Sequence, residues 1–130
     1  MPRQIFTSPI RGGVQGQTVA VTATADGLTT GLIPTNASFV SVTSGNADHI
    51  ITLPVGEVGN VIKGWVGANG CELRTLASSN DTINAVDADG TQEAAIPATT
   101  LFEVTCVAAE TWVLTAADEL GAVITAIIPD

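Results

Sequence analysis

The sequence predicts an all-β fold: a compact β-sandwich or β-barrel of about nine short strands with an extended N-terminal arm. Three observations predict the strands. Thr, Ala, Val and Ile recur in short runs of period two, the spacing of a half-buried strand and not of a helix. Gly, Pro, Asn and Asp break those runs at short intervals. Only residues 116–120 offer a helical turn.

Residues 1–17 contain Pro2, Pro9, Gly12, Gly13 and Gly16 with apolar residues only at intervals, which suits an extended arm. Either this segment frays, as chain ends commonly do, or it orders against a partner. Ile5, Phe6 and Ile10 beside Arg3 and Arg11 supply anchors and charge for the second case. Residues 18–130 form the predicted all-β domain. Residues 18–24 alternate, and Asp26 and Gly27 turn the chain. Residues 38–43 and 50–53 are the next runs, the latter stopping at Pro54, which cannot donate to a ladder. Residues 59–66 and 71–76 read as a hairpin about a turn at 67–70. Residues 81–86 form a shorter strand leading into an acidic surface loop at 87–93. Residues 100–107 and 111–115 make another hairpin. Residues 121–128 are β-branched on both faces, which fits a strand buried within the subunit or one packed between subunits.

The bulk composition bounds what such a fold does. At 130 residues the chain is one domain, long enough to bury roughly two-thirds of its unfolded surface. It is 45% hydrophobic but only 4% aromatic, without Tyr, so small aliphatic side chains fill the core. A mean hydropathy of +0.39 leaves an apolar surplus, the mark of surface covered between subunits. The net charge is −9 and the pI about 4.1. Four cations, Arg3, Arg11, Lys63 and Arg74, form no patch for nucleic acid, and anionic membranes are disfavoured equally. No apolar run reaches the roughly 18 residues of a membrane span. Residues 1–6 lack the apolar segment of a secretory signal, so use without general export is expected.

Residues able to do chemistry are few. His49 is the only histidine, and no nucleophile is set beside it in sequence. Asn84, Asp87, Asp89 and Gly90 place oxygen ligands in a loop, but their spacing departs from a calcium loop and Glu93 falls too early. Cys71 and Cys106 lie in strand runs, either as buried small hydrophobes or as a disulfide. Trp65 and Trp112 are expected to anchor the core. No cofactor and no catalytic site are expected: the chain reads as a part of a larger structure, not as an enzyme.

Residues 51–62, 70–75, 81–84 and 95–97, with Cys106 and Trp112, form a pattern of strands and turns. It resembles small β-rich virion proteins of tailed bacteriophages, the capsid decoration (cement) proteins and related modules of head and tail fibres. That resemblance implies a homotrimer on the outer capsid surface, made in the host cytoplasm, that stabilises the head by bridging major capsid protein subunits. It specifies no docking residues. The arm, through Arg3, Ile5, Phe6, Ile10 and Arg11, is the candidate on its own composition. Two rivals stand beside this reading. One is a head- or tail-fibre module binding a host receptor or glycan. The other is a depolymerase fragment, for which Asp81 and Glu93 would be the carboxylate pair.

Overall fold

The computed structural model describes residues 17–88 and 92–124, and it is nearly all β. Eleven strands lie among the described residues: β1 (Gln17–Thr22), β2 (Ala37–Thr43), β3 (Ile50–Thr52), β4 (Val61–Val66), β5 (Cys71–Arg74), β6 (Thr82–Ile83), β7 (Val86–Asp87), β8 (Ala94–Ile96), β9 (Thr100–Ala108), β10 (Thr111–Asp118) and β11 (Val123–Ile124). They form two sheets. The large one runs β1-β2-β4-β9-β10-β6-β7, with β11 also on β10, and the small one runs β3-β5-β8. One apolar core lies between them, and residues of both sheets line it.

The chain winds. β2 lies in the large sheet, β3 in the small one, β4 in the large one and β5 in the small one again. β1, β2 and β4 are therefore parallel neighbours, as are β3 and β5. Parallel pairing needs a crossover, and here the opposite sheet supplies it. The register steps from Val19 to Val40 to Gly64, all facing the core. β9 and β8 then pair antiparallel to β4 and β5 and close this coil on one side.

Between β1 and β2, residues 24–33 strap the edge of the small sheet. Thr24 bridges Ile50 and Leu32 bridges Thr52. The buried Thr52 hydroxyl donates to the Gly27 carbonyl at 2.7 Å. Arg74 donates to the Asp26 carbonyl and pairs with Glu93 at 3.8 Å. Gly27 has φ +68, and a Cβ there would stand 2.6 Å from Ile50 Cγ2, so the strap requires glycine. The Leu28 N–H and the Thr24 hydroxyl both donate to Asp26 and hold its carboxyl below the ordinary value.

Several expectations are met and several corrected. The runs at 18–24, 38–43 and 50–53, and the hairpin of β9 and β10, are strands as read. Residues 59–66 and 71–76 are not a hairpin: β4 and β5 belong to opposite sheets, and residues 67–70 turn the corner between them. Both strands bury alternate residues, Ile62, Gly64 and Val66 against Cys71 and Leu73, so each serves a different wall of one core. Residues 81–86 are not one strand. Asn84 (φ 50) and Ala85 (φ 69) form a two-residue turn between β6 and β7, with the positive φ pair of a type I′ hairpin. β8 was not foreseen. Residues 116–120 hold no helical turn, because β10 runs to Asp118 and turns back there, Gly121 N–H donating to Asp118 O at 2.9 Å. The arm lies outside the described residues, except Gln17, which opens β1.

The middle of the core is set by a size match. Gly64 on β4 faces Phe102 on β9, and a Cβ at Gly64 would stand 2.2 Å from Phe102 Cζ and 2.7 Å from Val40 Cγ2. The ring fills the space the glycine leaves, and Phe102 is 1% exposed. Gly64→Ala is expected to destabilise the chain by about 1–3 kcal/mol through overpacking. The check is a lower urea midpoint at unchanged slope, partly restored by adding Phe102→Leu. A neutral Gly64→Ala would show that this pair does not set the sheet spacing.

Candidate functional site

Two regions concentrate the side chains able to do something: a polar knot inside one end of the core, and the outward face of the large sheet.

The knot is built on Asp81, which is 1% exposed. Its Oδ2 accepts the Gly56 N–H at 2.7 Å and the Trp112 indole N–H at 3.1 Å. Its backbone carbonyl accepts the Thr75 hydroxyl at 3.2 Å. Gly56 lies so close that a Cβ there would stand 3.0 Å from Asp81 Oδ2, Cys106 Sγ and Trp112 Nε1 alike. Burial pushes the Cys106 thiol up from its ordinary value, and the Asp81 carboxyl adds to the effect. Cys71, on the small sheet, is pushed by burial up to about 12, with Glu72 contributing. Both cysteines are buried and free, so they act as small hydrophobes and not as a disulfide. A thiol held protonated is a poor nucleophile. The knot clamps Gly56, Thr75 and Trp112 about Asp81.

The chemical candidates from sequence are dispersed. His49 precedes β3 and its backbone carbonyl takes the Glu72 N–H at 2.8 Å. Asn84 spends its amide on the backbone of Leu114, accepting from its N–H at 2.9 Å and donating to its carbonyl at 3.3 Å. Asp87 belongs to β7, opposite Thr82, while Asp89 and Gly90 lie outside the described residues. Among the described residues no group of three or more His, Cys, Asp or Glu could hold a metal ion. Asp81 and Glu93 do different work: Asp81 binds backbone and indole within the core, and Glu93 pairs with Arg74. Trp112 is fully buried, as expected, but Trp65 is only half-buried and looks outward. It occupies the other face of β4 from Ile62, Gly64 and Val66, so strand parity excludes it from the core.

That outward face is regular. Across the sheet, Ala20, Ser41, Trp65, Leu101, Ala117 and Val123 form one row. Thr18, Phe39, Lys63, Glu103 and Thr115 form the next, and Val61, Thr105 and Val113 a third. Leu101 is 47% exposed, Val61 42%, Val113 40% and Val123 73%. Lys63 and Glu103 are the only charges in these rows and stand 3.7 Å apart. Shallow grooves flank that pair, one beside Phe39 and Val61, the other beside Leu101 and Val123. The face is thus neutral, with apolar side chains interleaved with hydroxyls, on a strongly acidic chain. Sequence reading gave an apolar surplus but neither these residues nor their gathering, which depends on which strands lie side by side. The arm residues Arg3, Ile5, Phe6, Ile10 and Arg11 lie outside the described residues.

Comparison with family models, with curated proteins and with solved structures found no match.

Removing the knot's acceptor strands two buried donors at once. Asp81→Ala is expected to cost about 2–4 kcal/mol, measured by urea unfolding followed through tryptophan emission; a loss below half a unit would mean that water replaces the carboxyl. In a separate experiment, Ellman's reagent at pH 8 should find both thiols unreactive in the native chain and reactive once it is unfolded. Rapid native labelling would contradict the burial of the cysteines.

Proposed function

We propose that this chain is a virion structural protein of a tailed bacteriophage, a decoration protein that binds the outer surface of the head as a trimer. It holds neighbouring major capsid protein subunits together. The observation that carries the reading is the neutral outward face of the large sheet, with Val61, Trp65, Leu101, Val113 and Val123 on it, on a chain of charge −9. Such a surface suits permanent contact between proteins. The two-sheet body and the buried thiols agree with a structural part. The resemblance of its strand and turn pattern to decoration proteins supplies the setting: assembly in the host cytoplasm, residence on the outer capsid, no cofactor, no nucleic acid or membrane partner, and no catalysis.

On this reading the N-terminal arm does the docking. Ile5, Phe6 and Ile10 enter apolar sites on the capsid, and Arg3 and Arg11 pair with carboxylates and fix register. One arm binds weakly. Three arms on one trimer raise the effective concentration of each, so affinity multiplies without new contacts. Deleting residues 1–13 should leave the folded trimer intact and abolish co-sedimentation with heads. Equal binding by the truncated chain would remove the arm from the mechanism.

One observation favours a second reading, a fibre module that binds a host glycan. Trp65 is half-buried on the outward face beside Leu101, a position from which an indole can stack on a sugar ring. A glycan array decides between the two: a hit lost in Trp65→Ala selects the fibre module, and no binding keeps the head reading.

A further inference from the structure

The outward face of the large sheet divides in two along the boundary between β4 and β9. On one side lie the parallel strands β1, β2 and β4, carrying Phe39, Val61, Trp65 and the cation Lys63. On the other lie the antiparallel strands β9, β10 and β11, carrying Leu101, Val113, Val123 and the anion Glu103. Each half is apolar, each has one of the shallow grooves, and the two bear opposite charge. The remaining acidic residues described, such as Asp48, Glu57, Glu72 and Glu110, lie off these rows.

We infer that this face is where copies of the chain meet: the Lys63 half of one subunit packs against the Glu103 half of the next, closing a ring of three. The inference rests on the trimer of the proposed function and names its surface. Three physical points select a second copy as the occupant. Two chains of charge −9 repel one another generally, and this is a face on which they approach without opposing charges. The halves are complementary to each other and not to themselves, which makes the contact head-to-tail. Such a contact closes into a ring where the rotation between subunits closes, as the trimer of the proposed function requires. A sheet of six or more strands twists by roughly 20–25° per strand, so its two halves face different directions. That geometry suits two neighbours better than one flat partner.

Within one chain the Lys63–Glu103 pair is exposed on both sides, 58% and 44%, and such a pair adds little to stability. Both groups are therefore available to a neighbour. Val123 exposes 73% of its surface beside Leu101 and Ala117, an apolar cost that the ring removes. The described part of the last β-branched run is thereby assigned to a subunit contact and not to a strand buried on both sides.

The test is native mass by light scattering over a dilution series for the wild-type chain, Lys63→Glu, Glu103→Lys and the double swap. Circular-dichroism melts confirm that each variant folds. The wild type should be a trimer. Each single substitution should weaken assembly at least tenfold, and the swap should restore it. Leu101→Gln, which changes no charge, should also weaken it. A wild-type trimer indifferent to all four variants overturns the assignment of the face, and a wild-type dimer or monomer overturns the ring. Co-sedimentation of the wild type with heads of a phage encoding the chain is scored separately. Heads bound by an indifferent trimer keep the virion reading without this face. A swap-sensitive trimer that binds no heads keeps the face and removes the virion reading.

Discussion

The hydrogen bond between the Trp112 indole and the buried Asp81 carboxyl is the contact on which one end of the molecule depends. The chain has no Tyr and few aromatic residues, so Trp112 is the largest side chain available to fill the core. An indole N–H cannot be buried cheaply without an acceptor. Asp81 provides it, and the same oxygen takes the Gly56 N–H. Gly56 belongs to the passage from β3 in the small sheet to β4 in the large one. A single carboxyl oxygen therefore fixes the tryptophan on β10 and a crossing of the chain between layers. The absence of a side chain on Gly56 is what allows all three groups to meet.

Away from the knot, the core is governed by fit more than by bulk. Small aliphatic side chains bury little area each, at about 25 cal/mol per Å², so misfit is costly. Phe102 over Gly64 shows how the volume is found, a large residue on one strand set against none on its neighbour. The winding of β1 to β5 between layers supplies the other constraint. Each passage through one sheet is pinned by the next passage through the same sheet, and the strap at residues 24–33 holds the outer edge.

Period-two alternation made most strands legible, because burial on one face selects Val, Ile and Leu at every second position. It is silent about partners. Residues 59–66 and 71–76 alternate equally well as a hairpin or as strands of opposite sheets, and the turn at 67–70 serves either. The small hairpin of β6 and β7 escaped notice because Asn84 and Ala85 take the positive φ usually marked by glycine. Trp65 illustrates the reverse error: size suggested the core, but its parity on β4 with Lys63 places it outside. The candidate surface was legible only as an apolar surplus in the composition, and illegible as a surface, since β1, β2 and β4 meet β9, β10 and β11 across a long stretch of chain to compose it.

The coil has a further consequence, for growth. Neighbouring turns share backbone bonds, a few side-chain bonds and a column of core side chains, Val19, Val40 and Gly64 being one such column. The closing strands β8 and β9 meet only the last turn. A turn added or lost between β2 and β4 would have to carry with it the Gly56 contact to Asp81 and the strap on β3. In this architecture subunit height is a quantity set in steps of one strand spacing, and those two ties are what fix the number of steps.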